Sequence, residues 1–129
     1  PTTGRVVQGD ALGRELGFPT ANLDVEDPLK LLPSRGVYAV WCQTPDGIWR
    51  PAMANVGQRP TVSDRDETTL EVHVIDGKGD WYGQLLHLRW VQWMRGEVKF
   101  ASQKELIEAL HLDRTKARTL LAGCQPGGL

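Results

Sequence analysis

From Thr69 to Asp76 the chain alternates, with Leu70, Val72 and Val74 on one side and Thr69, Glu71, His73 and Ile75 on the other. That period of two predicts a half-buried strand with a carboxylate on its second face. Other short segments bounded by Gly, Pro or Asp also read as strands: Gly4 to Gly9, Ala21 to Asp24, Gly36 to Cys42, Ile48 to Val56, and Gln84 to Met94. Leu86, Leu88 and Trp90 share a side of the last of these, and Trp93 falls opposite. Pro51 predicts an edge or a bulge in its strand. Pro45-Asp46-Gly47 and Asp76-Gly77-Lys78-Gly79-Asp80 are turns, and the polar stretch Gly57 to Glu67 reads as a loop.

The last quarter changes period. Ser102 and Glu105 form a capping box ahead of the apolar stripe Leu106, Ile107 and Leu110, which predicts a helix from about Gln103 to Leu112. Asp113 is placed to cap a second helix bearing Ala117, Leu120 and Leu121 and ending near Gly123. Many short strands with a helical appendix point to a mainly β domain, an antiparallel barrel or a sandwich.

The chain has 129 residues and is 40% hydrophobic, enough to bury the core of one domain, expected over 1–123 with a flexible tail over 124–129. Lys and Arg number 15 against 16 Asp and Glu, so the charge pattern gives no footprint for nucleic acid or an anionic membrane, and neither is expected as a partner. No apolar run reaches the roughly 18 residues of a membrane span, and Pro1-Thr2-Thr3-Gly4 has no signal-peptide character. Cys42 and Cys124 lie far apart without a CxxC pair, which predicts free thiols and a reducing cytoplasm. Cys42 lies in an apolar run and reads as core.

Three glycines spaced four apart, Gly9, Gly13 and Gly17, with Arg14 between them, form either a phosphate-approaching loop or a plain barrel turn. After Pro19, the side chains of Thr20 and Asn22 point the same way along an extended segment; they are either hard oxygen ligands for Mg²⁺ on nucleotide phosphates or members of a capped turn. Glu71 is either a general base held on a rigid strand or part of a solvated outer face. Arg95-Gly96-Glu97-Val98-Lys99-Phe100 is either a charged connection or a place where Phe100 packs on a planar ligand that Arg95 hydrogen-bonds. His73, His87 and His111 lack metal-ligand spacing and receive no catalytic role.

Taken together, Gly4-Arg5-Val6-Val7-Gln8-Gly9, Gly13-Arg14-Glu15-Leu16-Gly17-Phe18-Pro19-Thr20-Ala21-Asn22-Leu23, Gly36-Val37-Tyr38-Ala39-Val40, Asn55-Val56-Gly57 with Arg59-Pro60-Thr61, Leu70-Glu71-Val72-His73, Tyr82-Gly83, Arg95 to Phe100, and Asp113 with Ala117-Arg118 resemble the riboflavin kinase family. The resemblance is strongest to the kinase module of bacterial bifunctional riboflavin kinase and FAD synthetase. It implies a six-stranded antiparallel Greek-key barrel with C-terminal α-helices, and transfer of the γ-phosphate of ATP to riboflavin, giving FMN and ADP. It implies Mg²⁺, with Zn²⁺ or Mn²⁺ as alternatives, held by Thr20 and Asn22, and Gly9 and Arg14 lining the nucleotide side. Glu71 is implied as catalytic base, Val74, Asp76 and Tyr82 as nucleotide-pocket residues, and Arg95, Val98 and Phe100 as the flavin pocket. Trp81 stands where the family more often has a smaller aliphatic or Phe, and Val98 where some relatives have Lys. FMN adenylylation would need a separate domain, fused or detached, so FMN is the expected end product. The loops after Gly9 and between Gly57 and Glu67 are expected to close over substrates.

Overall fold

The computed structural model describes residues 2–9, 17–25, 32–60, 66–76 and 81–124. Six strands are followed by a helix: β1 (Thr2–Gly9), β2 (Ala21–Asp24), β3 (Gly36–Gln43), β4 (Trp49–Pro60), β5 (Asp66–Val74), β6 (Leu85–Arg95) and α1 (Gln103–Ala122). The strands close in the order β1-β2-β5-β4-β3-β6, and every neighbouring pair is antiparallel. Strands β3, β4 and β5 form a meander, and β6 returns to lie beside β3, which is the Greek-key arrangement. Closure gives every strand a hydrogen-bonded neighbour on both sides along part of its length.

The alternation along each strand sorts side chains into two layers. Val6, Leu23, Val40, Val72, Val74, Leu86 and Leu88 fill the barrel interior. Ala39, Met53, Ile75 and Met94 point outward and pack with Phe18 against Ala117 and Leu121 of α1. With Phe18 and α1 packed there, the second face of β5 is covered toward its end: His73 and Ile75 are buried, Glu71 is half-buried and Glu67 remains exposed.

Three expectations are corrected. The two helices expected around Asp113 are one helix: no Gly or Pro interrupts Gln103–Ala122, and the Asp113 carboxylate binds Arg95 instead of capping. At the start of α1 the capping box does form, with Glu105 N donating to Ser102 Oγ at 3.2 Å and Ala101 N donating to Glu105 Oε2 at 3.1 Å. Pro51 marks no edge, since β4 pairs on both sides; its carbonyl accepts from Ile75 N, so its missing donor falls where β5 has ended. The stretch Gly57 to Glu67 is largely strand: β4 runs on to Pro60 and β5 starts at Asp66, with Gly57 opposite Thr69 and Arg59 opposite Glu67. Residues 61–65, like Arg14 and the loop after Gly9, lie outside the described residues, as does the tail over 125–129.

Candidate active site

Antiparallel partners project their side chains from the same face of a sheet, so the barrel's register dictates which polar residues meet. Asn22 of β2 is paired with Glu71 of β5, Glu71 with Asn55 of β4, Asn55 with Val37 of β3, and Val37 with Arg95 of β6. A single row thus crosses five strands on the outer face, the face that α1 partly covers. A cavity of about 220 Å³ opens between this row and the first half of α1. Thr20, Asn55, Glu71, His73, Arg95, Val98 and Phe100 line it, along with Phe18, Glu97 and Asp113.

Local chemistry fixes each wall. Gly17, at a φ of 84°, turns the chain in the left-handed region, and the next residue, Phe18, is only 2% exposed. The Phe18 ring lies 5.4 Å from the His73 ring and 5.0 Å from that of His111, with the Arg114 guanidinium 4.5 Å above it. His73 Nδ1 lies 2.8 Å from the Pro19 carbonyl oxygen. A carbonyl only accepts, so Nδ1 carries the hydrogen. Burial pushes the His73 pKa below the ordinary imidazole value; the Pro19 carbonyl and Asp76 oppose that shift and Arg114 adds to it. The ring is therefore neutral near pH 7, with Nε2 left as an acceptor.

Arg95 and Asp113 join the end of β6 to the middle of α1. Arg95 Nε lies 3.0 Å from Asp113 Oδ1, and its NH2 nitrogen 2.7 Å from Oδ2, while the NH1 nitrogen donates to the Gly96 carbonyl at 3.0 Å. The same guanidinium sits 5.8 Å from the centre of the Phe100 ring. Among the described residues the other two N-H groups of the five take no partner, which leaves them for a ligand. Across the mouth, Glu97 binds Arg35 at 3.0 Å, and Arg35 also donates to Gln58.

Three buried polar atoms along this wall have no hydrogen-bonding partner among the described residues: Thr20 Oγ1, Asn55 Oδ1 and His73 Nε2. A buried neutral oxygen without a partner fits a hard cation or a ligand donor. Among the described residues no group of three or more His, Cys, Asp or Glu could hold a metal, so a cation at Thr20 would draw on neutral oxygens and on the ligand's own phosphates.

The structure brings together five of the expected site residues, Thr20, Glu71, Arg95, Val98 and Phe100. Asn22 lines a neighbouring recess of about 280 Å³ with Asp24, Glu67, Thr68 and Thr69, although its strand partner is Glu71. Gly9 pairs with Ala21 at the end of β1. Val74 points into the barrel core, Asp76 is ion-paired with Arg118 at 2.6 Å, and Tyr82 is 68% exposed. None of these three lines the cavity. The sequence reading gave no role to His73 or Asn55 and read Asp113 as a helix cap, because each acquires its place through long-range pairing. All three did stand in motifs that carried the family resemblance.

A model of the family described as Flavokinase: Riboflavin kinase matches residues 1–121. A bifunctional riboflavin kinase/FMN adenylyltransferase of Pseudomonas fluorescens is 40% identical over 119 residues, covering 92% of this chain and 37% of that protein. The chain thus spans well under half the length of such curated relatives. Among solved structures, a Streptococcus pneumoniae chain described as a macrolide-efflux protein superposes with a TM-score of 0.81 at 34% identity, over 91% of this chain and 38% of that one. A riboflavin kinase of Trypanosoma brucei superposes with a TM-score of 0.70 at 23% identity, over 97% of this chain and 78% of that one, a likeness of fold.

Proposed function

The chain belongs to the riboflavin kinase family, and from that premise we propose that it transfers the γ-phosphate of ATP to the ribityl 5'-hydroxyl of riboflavin, releasing FMN and ADP. One juxtaposition carries the reading. Glu71, on a rigid strand, lines the same cavity as the unpartnered Thr20 hydroxyl and the Arg95 and Phe100 side chains. A carboxylate on that shared wall is what a proton acceptor for a substrate hydroxyl requires.

In phosphoryl transfer a protein mainly positions reactants and offsets charge. Phe100 and Val98 offer an apolar surface to the flavin ring, and the two spare N-H groups of Arg95 reach its polar edge. Glu71 accepts the proton of the 5'-hydroxyl as the oxygen attacks phosphorus. Thr20 and Asn22 would hold Mg²⁺, or Zn²⁺ or Mn²⁺ in its place, which supplies charge compensation on the phosphates. Gly9 and Arg14 belong to the nucleotide side. Of the remaining nucleotide-side residues, Val74 offers only backbone atoms, because its side chain is in the core, while Asp76 and Tyr82 stand at the surface. The unit performing this reaction is residues 1–123. Its partner is an FMN adenylyltransferase domain, fused or separate, since the relatives' names join the two activities. No helix among the described residues is long and apolar enough to cross a membrane, and we place the reaction in the cytoplasm.

The test is incubation of the purified chain with riboflavin, ATP and Mg²⁺, followed by chromatography of the flavins, with Glu71→Ala as control. FMN from the wild type and none from the variant is the expected result. A folded protein that binds flavin yet yields no FMN would instead be a flavin-binding barrel.

A further inference from the structure

We propose that His73 is a positioning residue: its Nδ1-H holds the Pro19 carbonyl and so fixes the Thr20 hydroxyl on the cavity wall. This rests on the riboflavin kinase reading, which gives Thr20 its task at the phosphates.

The segment before β2 has three attachments in succession. The chain turns at Gly17, and Phe18 is driven into the outer core between His73 and His111. Pro19 is itself exposed and has no N-H, so its carbonyl is the one backbone group through which it can be tied down. His73 supplies that tie at 2.8 Å from a strand that pairs with β2 at Ala21, Asn22 and Leu23. Thr20 is therefore held from both ends, by the ladder on one side and by the imidazole on the other. A core histidine needed only for packing would have no reason to leave Nε2 buried on the cavity wall with no partner among the described residues. Glu71, the proposed base, lies two residues earlier on the same face of β5. One rigid strand thus carries the base and sets the position of the hydroxyl it works beside.

His73→Leu keeps an apolar side chain in the site and removes the donor. His73→Asn gives up the ring but keeps an N-H near the place of Nδ1. Packing alone ranks Leu at or above Asn in this buried site, whereas the tie to Pro19 ranks Asn above Leu. The expected result is a crossover: His73→Leu melts no lower than His73→Asn, yet binds MgADP by calorimetry about tenfold more weakly than wild type and turns over about tenfold more slowly. His73→Asn returns to within about threefold of wild type in both, taking half a decade as the margin of recovery. Affinity for lumiflavin, the ring with a methyl in place of the ribityl chain, stays unchanged in both variants. Unchanged MgADP affinity in His73→Leu, or no gain from Asn over Leu, overturns the proposal. Nitrogen NMR of the wild type decides independently of any variant's folding. The Nδ1-H tautomer is expected, and an Nε2-H tautomer overturns it. Wild type that forms no FMN would defeat the kinase reading, whereas FMN formation with the Nε2-H tautomer would defeat this inference alone.

Discussion

A buried hydroxyl without a partner costs about 1–3 kcal/mol, and Thr20 Oγ1 has none among the described residues. Its conversion to an isosteric methyl in Thr20→Val should therefore leave the urea midpoint unchanged or raise stability by about 1 kcal/mol, while FMN formation falls. A variant that is both less stable and fully active would show that the hydroxyl serves the fold. Glu71 separates the same two properties differently. Glu71→Gln keeps size and polarity, so flavin binding, followed by fluorescence, should persist while turnover drops on the order of 10²- to 10⁴-fold. Cys42 illustrates the opposite fate for a reactive group. It is fully buried, and burial pushes its thiol up to about 12, with Arg50 only partly opposing the shift. At pH 8 roughly one thiol in ten thousand would be ionised, so Cys42 should resist iodoacetamide in the native chain while the less buried Cys124 is alkylated.

Helix α1 closes the cavity because one charge pair pins its middle to the end of β6. Asp113→Ala would strand the guanidinium of Arg95, whose side chain is 26% exposed, and should cost on the order of 3 kcal/mol in urea unfolding. It should also weaken flavin binding, since Arg95 loses the partner that aims it. The turn between β3 and β4 responds to acid instead. The Asp46 carboxyl is held down at about 2, chiefly by the Thr44 hydroxyl, then by Ile48 N-H and Arg50. A depressed carboxyl stabilises the folded state above its unfolded value of about 4 and loses that contribution as pH falls through the folded value. Asp46→Asn should therefore flatten the fall in melting temperature between about pH 4 and pH 2. Elements set by local pattern were legible in the sequence: the alternation from Leu70 to Ile75, the bounds of β2 and the Ser102-Glu105 box all hold. What stayed hidden depends on distant partners. Asp113 looked like a helix cap because its true partner, Arg95, lies 18 positions away. For the same reason Glu71 could be named a candidate base, whereas Asn55 and His73 acquire their places beside it only once β4, β5 and the Phe18-Pro19 segment are paired.

At the scale of the molecule, the barrel places Cys42 where only opening the ring exposes it, with its side chain among Val40, Leu86 and Leu88. Cys42 alkylation under native conditions should therefore proceed at the rate of global opening, and saturating MgADP and FMN should slow it in proportion to their binding to the native state. A Cys42 rate that ignores these ligands would mean that the barrel opens without disturbing the cavity. The row from Asn22 to Arg95 that backs the cavity exists only when β2, β5, β4, β3 and β6 are all paired. The seam of the ring has its own consequence. Strand β6 lies between β1 and β3, so the first strand of the sheet is joined to the last, with Thr2 opposite Leu88 and Arg5 opposite Leu85. On the ribosome, β1 would emerge before β6 and wait with an unpaired edge until residues 85–95 have cleared the exit tunnel. During that interval a nascent chain offers its neighbours an open strand, which makes the pace of translation through β6 a determinant of how much protein escapes aggregation.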